Sequence, residues 1–238
     1  MQFPTPLIKG TLVKRYKRFL ADVTLEDGSL VTAHCANSGS MQTVKEPESE
    51  VWLSHHDDPK RKLKYTWELI KVGEAYAGVN TGYPNKVAAE AIAEGLIPDL
   101  SGYASQRREV KYGKNSRIDI LLEDPNRPLC YVEVKNVTLK RSEAADGVID
   151  FPDAVTSRGA KHLVELSDMV AQGHRAVMLY FVQRSDGGSV SIAEDIDPTY
   201  AQGVREAMNQ GVEIHCVGCA IDPQSGISVN RTLPFVFS

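Results

Sequence analysis

Three charged residues near the middle of the chain have the types and the spacing of a site that handles phosphate. Asp119 lies in the run RIDILL, and Glu133 follows 14 residues later in YVEVKN, with Lys135 two positions beyond it. Side chains alternate between the two faces of a strand, so Glu133 and Lys135 share one face while Val132 and Val134 point into the core. The turn DPNRP between the two runs lets the chain fold back and bring Asp119 beside Glu133.

Two carboxylates buried side by side repel each other unless a cation lies between them. Mg²⁺ takes one or two carboxylates together with waters and phosphate oxygens, so these residues predict Mg²⁺ or Mn²⁺ as the cofactor. Lys135 would then orient or help to deprotonate a metal-bound water, or stabilise charge on the phosphate. This chemistry suits hydrolysis of a phosphodiester. The alternative is a chance Glu-x-Lys pair on an exposed strand, which does no chemistry.

The elements that must hold these residues form a predicted α/β domain. Helical spacing of apolar residues predicts a helix from Asn85 that stops before Pro98. The order of elements is α-β-β-β-α-β-α-β, which describes a sheet flanked by helices. The further predicted elements are strands at 108–112, 117–122 and 130–137, a helix at 157–172, a buried strand at 175–183, a helix at 198–210 and a last strand at 212–217.

The first 70 or so residues instead read as about five short strands separated by turn signals, with no amphipathic helix. That pattern and a basic, aromatic surface predict a small barrel of the OB type, although periodicity alone does not separate it from an SH3-like barrel. The character changes near VNTGYPN. We therefore expect an all-β domain over residues 1–82 and an α/β domain over residues 83–238.

The formal net charge of -4, taken alone, counts against a nucleic-acid partner. Local charge matters more than the total, however, because a polyanion responds to the field near its own contacts. Residues 1–20 hold five basic residues and no acid, and two runs, KRYKRF and KRKLKYTW, mix cations with aromatic rings. Such runs can hold phosphates and stack bases. Their other interpretation is a pair of strands with solvated cations on one face.

The composition excludes several classes of protein. A chain of 238 residues with 42% hydrophobic residues can bury a real core, and its four cysteines are too few for a disulfide scaffold. No apolar run approaches the ~20 residues of a membrane helix, so we expect a cytoplasmic protein without a membrane partner. Cys216 and Cys219 form a lone C-x-x-C, which lacks the second ligand pair of a structural zinc site.

Asp119 followed by Glu-x-Lys, on the second and third strands after a helix, resembles the PD-(D/E)XK nuclease superfamily. Ile118 stands where the name-giving proline would be. The resemblance implies a further acidic ligand on the first helix, which by position is Glu90, with Glu94 as the competing choice. It also implies that basic and polar residues near the start of the second helix face the site: Arg158, Lys161 and His162.

A closer resemblance covers the chain from about residue 3 to its end. The ordered motifs LVKRYKRFLADV, HCANSGSM, KRKLKYTWEL, VNTGYPN, SGYASQRREVKYGKNSRIDILL, YVEVKNVTL and FPDAVTSRGAKHLVEL are similar to the sugar fermentation stimulation protein family. The resemblance implies a DNA-binding protein involved in regulating sugar (maltose) utilisation. It also implies an N-terminal OB-like domain and a nuclease-like C-terminal domain.

Carried over by position, the resemblance predicts a nucleic-acid surface on both domains. Asn37 and Ser38 can donate hydrogen bonds from a polar loop, and the alternative is that they only form its turn. Residues 102–119 carry a local charge of +3 and form a basic rim on the approach to Asp119. The predicted contacts are Lys14, Arg15, Lys17, Arg18, Asn37, Ser38, Lys60, Arg61, Lys62, Lys64, Arg107, Arg108, Arg117, Arg158 and Lys161, with Lys111 and Lys114 also in the rim.

Three functions follow from these residues. The first is a DNA-binding protein with a phosphodiesterase site that holds Mg²⁺ or Mn²⁺ through Asp119, Glu133 and Glu90, with Lys135 assisting. The second is a DNA-binding regulator that keeps the nuclease fold only as a scaffold, and the third is a metal-dependent hydrolase of a small phosphorylated ligand. RNA is a competing partner for DNA, and the sequence makes no prediction of oligomeric state.

Overall fold

The computed structural model describes residues 1–113, 116–141 and 147–237 of the chain. Its first part contains six strands: β1 (Ile8–Tyr16), β2 (Leu20–Leu25), β3 (Leu30–Cys35), β4 (Glu50–His55), β5 (Tyr65–Val72) and β6 (Ala75–Gly78). The first five strands close into a ring in the order β1-β2-β3-β5-β4-β1, and a parallel pairing of β3 with β5 completes it. β6 extends the sheet from β5.

The barrel interior is filled by the apolar residues that alternate along its strands. Leu12, Val23, Leu53 and Trp67 are fully buried there. Exposed or half-buried residues occupy most of the intervening positions, as expected for half-buried strands, whereas Ser54, Thr66 and Glu68 are buried. The predicted small barrel at the start of the chain is therefore confirmed.

The second part is an α/β domain built on a six-stranded sheet. Its helices are α1 (Pro84–Ala93), α2 (Ser157–Ala171) and α3 (Pro198–Asn209), with a short 3-10 helix at Pro98–Leu100. Its strands are β7 (Ser105–Tyr112), β8 (Ser116–Glu123), β9 (Cys130–Val137), β10 (Leu139–Lys140), β11 (Val148–Phe151), β12 (Arg175–Val182), β13 (Ser189–Ile192), β14 (Glu213–Asp222), β15 (Gly226–Thr232) and β16 (Phe235–Val236).

The six-stranded sheet has the order β15-β14-β12-β9-β8-β7. β7, β8 and β9 form an antiparallel meander, and β12 then pairs parallel to both β9 and β14. This is the helix, three-strand meander, helix, strand order that the sequence predicts, so the nuclease-like fold class is confirmed. A smaller sheet, β10-β11-β13-β16, contributes Ile149, Val190 and Ile192 to the core that also contains residues of α2 and α3, and it lies outside the predicted elements.

Both faces of the large sheet are covered by helices. α1 packs on one face in a core that includes Val132 and Val134, and α2 and α3 pack on the other in a core that includes Tyr180 and Leu163. β12 is buried along nearly its whole length, which explains its continuous apolar sequence. Among the described residues, no helix has both the length and the apolar character needed to cross a membrane.

Several contacts join the barrel to the α/β domain. The backbone N–H of Gly78 donates to the carbonyl of Gln183 at 2.9 Å, and Ala77 forms an isolated bridge with Arg184. The first residues of the chain leave the barrel altogether, because Met1 and Phe3 pack against the α1 side of the second domain.

Candidate active site

Asp119 lies where two strands of the sheet separate. β8 and β9 are paired from Ile120 to Leu122 in β8, and the register of backbone pairs ends there. One oxygen of Asp119 accepts a hydrogen bond from the backbone N–H of Val134 at 2.8 Å. The other accepts from the side-chain amide of Asn85 at 2.6 Å. The carboxylate is therefore fixed at the edge of β9 by two donors.

Glu133 and Lys135 lie on the face of β9 that packs against α2. The ammonium nitrogen of Lys135 is 2.7 Å from Oε1 of Glu133, and Glu133 is only 3% exposed. Val132 and Val134 point to the opposite face, into the core under α1. The strand alternation predicted from the sequence is thus present in the structure.

The two carboxylates have different electrostatic environments. Burial, together with the negative charge of Glu133, raises the pKa of Asp119 to about 6. Burial also acts to raise the pKa of Glu133, but the hydrogen bonds from His162 and Lys135 and the positive charge of Lys135 outweigh it and lower that pKa. The site therefore holds one carboxylate that already has a cationic partner and one that is short of positive charge.

His162 is buried beneath Glu133, where it contacts Oε1 through its Nδ1 atom. Thr156 is the N-cap residue of α2, and its side chain accepts a hydrogen bond from the N–H of Gly159. The carboxylate of Asp197 in turn accepts a hydrogen bond from the backbone N–H of Thr156 at 2.8 Å. These bonds place the first turns of α2 against β9.

The helix α1 contributes Asn85 to the site. Glu90 contacts the N-terminal amine of Met1 at 3.0 Å and lies 3.9 Å from the ammonium of Lys86. Glu94 ends the helix and is exposed. Asn85 stands five residues before Glu90, well over a turn away, so the two side chains leave the helix in different directions. Asn85, rather than the predicted Glu90, is the α1 side chain that reaches Asp119.

The residues of this site fit a divalent cation with oxygen ligands. Oε2 of Glu133 is buried and, within the described part of the chain, has no hydrogen-bond partner, and such an orphaned oxygen calls for a cation or a water. The raised pKa of Asp119 reports the same shortage of positive charge. Across residues 1–113, 116–141 and 147–237, no three carboxylate, histidine or cysteine side chains converge on one point. Asp119 and Glu133 would hold the ion, and waters would complete its shell, as Mg²⁺ commonly allows.

The basic residues of the barrel hairpin between β1 and β2 have different environments. Lys17 and Arg18 form its tip, both with left-handed backbone angles (φ 47° and 63°), next to Phe19, which is 46% exposed. Lys14 is exposed and lies 3.7 Å from Asp22. The tip therefore presents two cations and a ring to solvent, as the nucleic-acid prediction requires.

Arg15 points the other way, into the loop that follows β3. Its guanidinium donates to the carbonyls of Arg18, Asn37 and Gly39 at 2.9, 2.9 and 3.0 Å. Asn37 is itself 7% exposed, and its side chain bonds the carbonyl of Val79 and the N–H of Gly39. Arg15 and the Asn37 side chain are thus occupied in holding this loop, whereas Ser38 is exposed.

The second basic run lies in the loop between β4 and β5. Lys60 and Lys62 are exposed, and Arg61 donates to Oγ1 of Thr66 at 3.2 Å. Lys64 donates to a backbone carbonyl of the same loop. This loop presents two exposed ammonium groups, and two cations that also help to shape it.

The predicted basic rim likewise contains some cations that bond other residues and some that are exposed. Arg107 makes a two-pronged ion pair with Glu123 at 2.7 Å, and Arg117 donates to the carbonyl of Glu109. Arg108 and Lys111 are exposed on β7. Lys114 lies outside the described residues. Two residues of α2 also border the site, since Arg158 bonds His162 and Lys161 bonds Ser116.

A cavity of about 290 Å³ opens between the two domains, beside the end of β9. The loop after β3 and the end of β9 form its walls, and the cavity includes Asn136, the residue after Lys135. The loop is tied across this gap by Asp153, which accepts from the hydroxyl of Ser40 at 2.8 Å and from the N–H of Met41 at 2.9 Å. The cavity therefore lies between the loop after β3 and the end of the strand that carries Glu133 and Lys135.

The cysteines do not form a site of their own. Cys216 packs in the core under α2 and α3, and Cys219 packs in the core under α1. They point to opposite faces of the sheet, and both are nearly fully buried. This agrees with reading the C-x-x-C spacing as part of a buried strand.

A closed five-stranded barrel followed by a nuclease-like α/β domain defines a two-domain class of protein with an OB domain at its N-terminus. Within that class, the chain belongs to the sugar fermentation stimulation protein family. The SfsA N-terminal OB domain matches residues 13–79, and the sugar fermentation stimulation protein RE domain matches residues 82–225.

Relatives of the whole chain support this assignment. A sugar fermentation stimulation protein homolog from Rhodospirillum rubrum is 69% identical over 243 residues, with 99% of each chain covered. A homolog from Rhodospirillum centenum is 59% identical, with 98% of each covered. The solved structure of Pyrococcus furiosus SfsA in complex with Ca²⁺ has a TM-score of 0.85 at 22% identity, covers 99% of this chain and 98% of that one, and has the same fold.

Proposed function

We propose that this protein binds DNA and hydrolyses a phosphodiester bond with Mg²⁺ or Mn²⁺ held by Asp119 and Glu133. The observation that carries the proposal is the pair of neighbouring carboxylates, one with a buried oxygen that lacks a partner among the described residues and the other with a raised pKa. Both features correspond to a missing positive charge. The Pyrococcus furiosus protein was solved in complex with Ca²⁺, which like Mg²⁺ takes oxygen ligands.

A bound divalent ion would supply a Lewis acid and an activated water. The residues of the chain would supply the orientation around it. Asn85 and the N–H of Val134 fix both oxygens of Asp119. Lys135, half-buried and 2.7 Å from Glu133, stands where its ammonium group can donate to a phosphate oxygen or to the attacking water and stabilise the charge that develops there.

The DNA-binding part of the proposal rests on exposed cations of both domains. Lys17, Arg18, Lys60 and Lys62 are exposed on the barrel loops, and Arg158 is exposed beside the carboxylate site. Each can neutralise a backbone phosphate. The family name, sugar fermentation stimulation, points to sugar utilisation as the biological setting of this binding, and the proposal extends that setting to regulation of maltose utilisation.

The test is a cleavage assay on single-stranded, duplex and branched DNA and on RNA, with Mg²⁺ or Mn²⁺. The wild type should cut at least one of these, and Asp119→Ala and Lys135→Ala should reduce cutting by about 100-fold or more, as expected when a preorganised charged group is lost. Lys71→Ala, a surface lysine of β5 paired with Glu74, serves as the matched control and should cut normally. Metal-dependent cutting that survives both site substitutions would contradict the assignment.

Binding measured separately distinguishes the other two functions. DNA affinity should fall by more than about tenfold between roughly 50 and 200 mM salt, because several phosphates are neutralised. DNA that is bound with this salt dependence but never cut would favour the regulator with a nuclease-like scaffold. Cutting of a small phosphodiester without DNA binding would favour the hydrolase of a small ligand.

A further inference from the structure

His162 has polar neighbours on both sides of its ring although it is almost completely buried. It is 3% exposed. Its Nδ1 atom contacts Oε1 of Glu133 and lies 3.2 Å from the ammonium of Lys135, and its Nε2 atom accepts from Nε of Arg158 at 3.4 Å. The ring therefore connects an exposed arginine to a buried carboxylate.

These neighbours select one form of the imidazole. A carboxylate oxygen only accepts, so the contact with Glu133 requires a hydrogen on Nδ1. The ammonium of Lys135 only donates, so it bonds Glu133 at 2.7 Å and not the ring. On the other side, Nε–H of Arg158 donates, and Nε2 must carry a lone pair to accept it. Both contacts are satisfied by the neutral ring with its hydrogen on Nδ1.

The consequence for Glu133 is an unequal use of its two oxygens. Oε1 receives hydrogen bonds from His162 and from Lys135, whereas Oε2 is buried with no partner in the described part of the chain. With Oε1 fixed by two donors, the carboxylate cannot rotate without breaking both. Oε2 is therefore the oxygen that stays available for a cation.

We propose that His162 is a positioning residue that fixes Glu133 for metal binding, and that Arg158 holds the ring in the tautomer this requires. The proposal rests on the proposed function, since it assumes that Glu133 is a metal ligand. Outer residues that orient a ligand typically contribute about 10- to 100-fold to metal affinity. Arg158 is exposed on α2, so a cation able to reach a DNA phosphate is two hydrogen bonds away from the metal ligand.

Mn²⁺ affinity, measured by calorimetry or electron paramagnetic resonance without DNA, tests the role of His162. His162→Leu keeps a comparable volume and removes the donor, so affinity should fall about tenfold or more. His162→Asn places an amide N–H near the position of Nδ1 and should bind several-fold more tightly than the leucine variant. A leucine variant that binds Mn²⁺ like the wild type, or an asparagine variant no better than leucine, would overturn the proposal.

The role of Arg158 is tested at an exposed position, where a substitution does not threaten folding. In metal-free protein with ¹⁵N-labelled histidine, the ring shifts of His162 should report hydrogen on Nδ1. Arg158→Ala should shift the ring toward a mixture of tautomers and lower Mn²⁺ affinity. Arg127→Ala removes another exposed arginine, one that packs against Tyr103, and should change neither. Hydrogen on Nε2 in the wild type would refute the proposed chain of contacts.

The failure of this proposal differs from the failure of the proposed function. Asp119→Asn and Glu133→Gln should both weaken Mn²⁺ binding if these carboxylates hold the ion. If neither does, the proposed metal site is wrong whatever His162 does. If both do and His162→Leu does not, only the positioning role is wrong.

Discussion

Asp119 and Glu133 are neighbouring carboxylates, but they have different hydrogen-bond partners. Lys135 and His162 both bond Glu133, so its charge is compensated inside the fold. Asp119 receives two neutral donors, and its pKa is raised to about 6 by burial and by Glu133. A charged Asp119 carboxylate in this buried site destabilises the folded state unless a cation binds beside it.

The pH dependence of stability should reveal the cost of the Asp119 charge. Its pKa is higher in the folded protein than the ordinary value, so the folded state binds more protons and stability falls as pH rises. Between about pH 4 and pH 7 the wild type without metal should lose on the order of 2 kcal/mol relative to Asp119→Asn. Urea unfolding in a chelating buffer at several pH values measures the difference.

The control for this prediction is Asp57→Asn, which changes an aspartate whose side chain is 96% exposed. Its stability should follow the wild type across the same pH range. Parallel curves for the wild type and Asp119→Asn would show that the Asp119 charge carries no such cost. Added Mn²⁺ should remove most of the difference, because the ion supplies the missing charge.

Strand periodicity is enough to predict which residues of β9 share a face, because alternation along a strand has few exceptions. Helix positions are harder to predict. The prediction of Glu90 follows from its acidic side chain. The α1 side chain that bonds Asp119 is instead the amide of Asn85, and an uncharged amide gives no signal of such a site in the sequence. The role of Arg15 is hard to predict for a related reason. Its charge suggests a phosphate contact, but two of its three carbonyl partners lie in a loop more than twenty residues away, and the sequence does not show that contact.

At the level of elements, the β1–β2 hairpin combines strain with exposed charge. Lys17 and Arg18 both adopt left-handed backbone angles, which ordinary residues adopt only at a cost. Asparagine and glycine would suit these positions better. Residues held in strained conformations are often kept for function. The cations of the hairpin tip, and not its turn geometry, therefore account best for the residues found there.

Replacing the tip with favourable residues should separate stability from binding. Lys17→Asn with Arg18→Gly should raise the free energy of unfolding by about 1 kcal/mol, because the strain is relieved. The same variant should bind DNA more weakly, with a log–log salt slope shallower by about 1.8 if two phosphate contacts are lost. Urea unfolding and fluorescence anisotropy at several salt concentrations measure the two effects. Unchanged DNA binding would remove this hairpin from the proposed surface.

Arg15, two residues earlier, should behave in the opposite way. Arg15→Ala removes the Nη2 nitrogen that donates to the carbonyls of Arg18, Asn37 and Gly39. Stability should fall by about 1–3 kcal/mol, since hydrogen bonds from a charged donor are lost. Hydrogen exchange should accelerate in residues 37–41. Lys14→Ala, at the exposed neighbouring position, is the matched control and should leave both quantities unchanged.

The long elements of the fold are predictable because each carries many residues of consistent pattern. The predicted barrel of five strands is present, and the meander strands and the three helices lie close to their predicted positions. The smaller sheet escapes prediction because β10 and β16 contain two residues each and β11 and β13 four, too few to show a period. β15 does show the alternation of a half-buried strand, with Ile227 and Val229 buried between exposed polar residues, but the predicted elements end at residue 217.

At the scale of the whole molecule, several contacts join the two domains in addition to the linker. Met1 and Phe3 cross to the α/β domain, β6 contacts the segment after β12, and Asp153 holds the barrel loop through Ser40 and Met41. Asp153 lies between β11 and α2, close to the helix that carries His162. The exposed cations of the barrel therefore have a fixed position relative to the carboxylate site, which a DNA strand crossing both domains would need.

The structure also provides separate optical probes for the two domains. Trp67 is buried in the barrel core, whereas Trp52 of β4 packs against the core under α1. Trp52→Phe in every protein that is compared therefore leaves a fluorescence signal that reports the barrel. The helices of the described residues all lie in the second domain, so helical circular dichroism reports that domain. In the wild type the two signals should change together on heating, because cooperative unfolding gives coincident transitions.

Asp153→Ala should make these two transitions separate. The substitution leaves the N–H of Met41 without its acceptor across the domain gap, and it leaves the hydroxyl of Ser40 with only the backbone carbonyl of residue 153. The fluorescence transition should move to lower temperature than the circular dichroism transition, and DNA affinity should fall although no cation is lost. Asp153→Asn keeps one acceptor oxygen and should give an intermediate separation. If both signals still coincide in Asp153→Ala, the barrel is held by its other contacts, and the loop after β3 does not set the relative position of the two proposed DNA-binding surfaces.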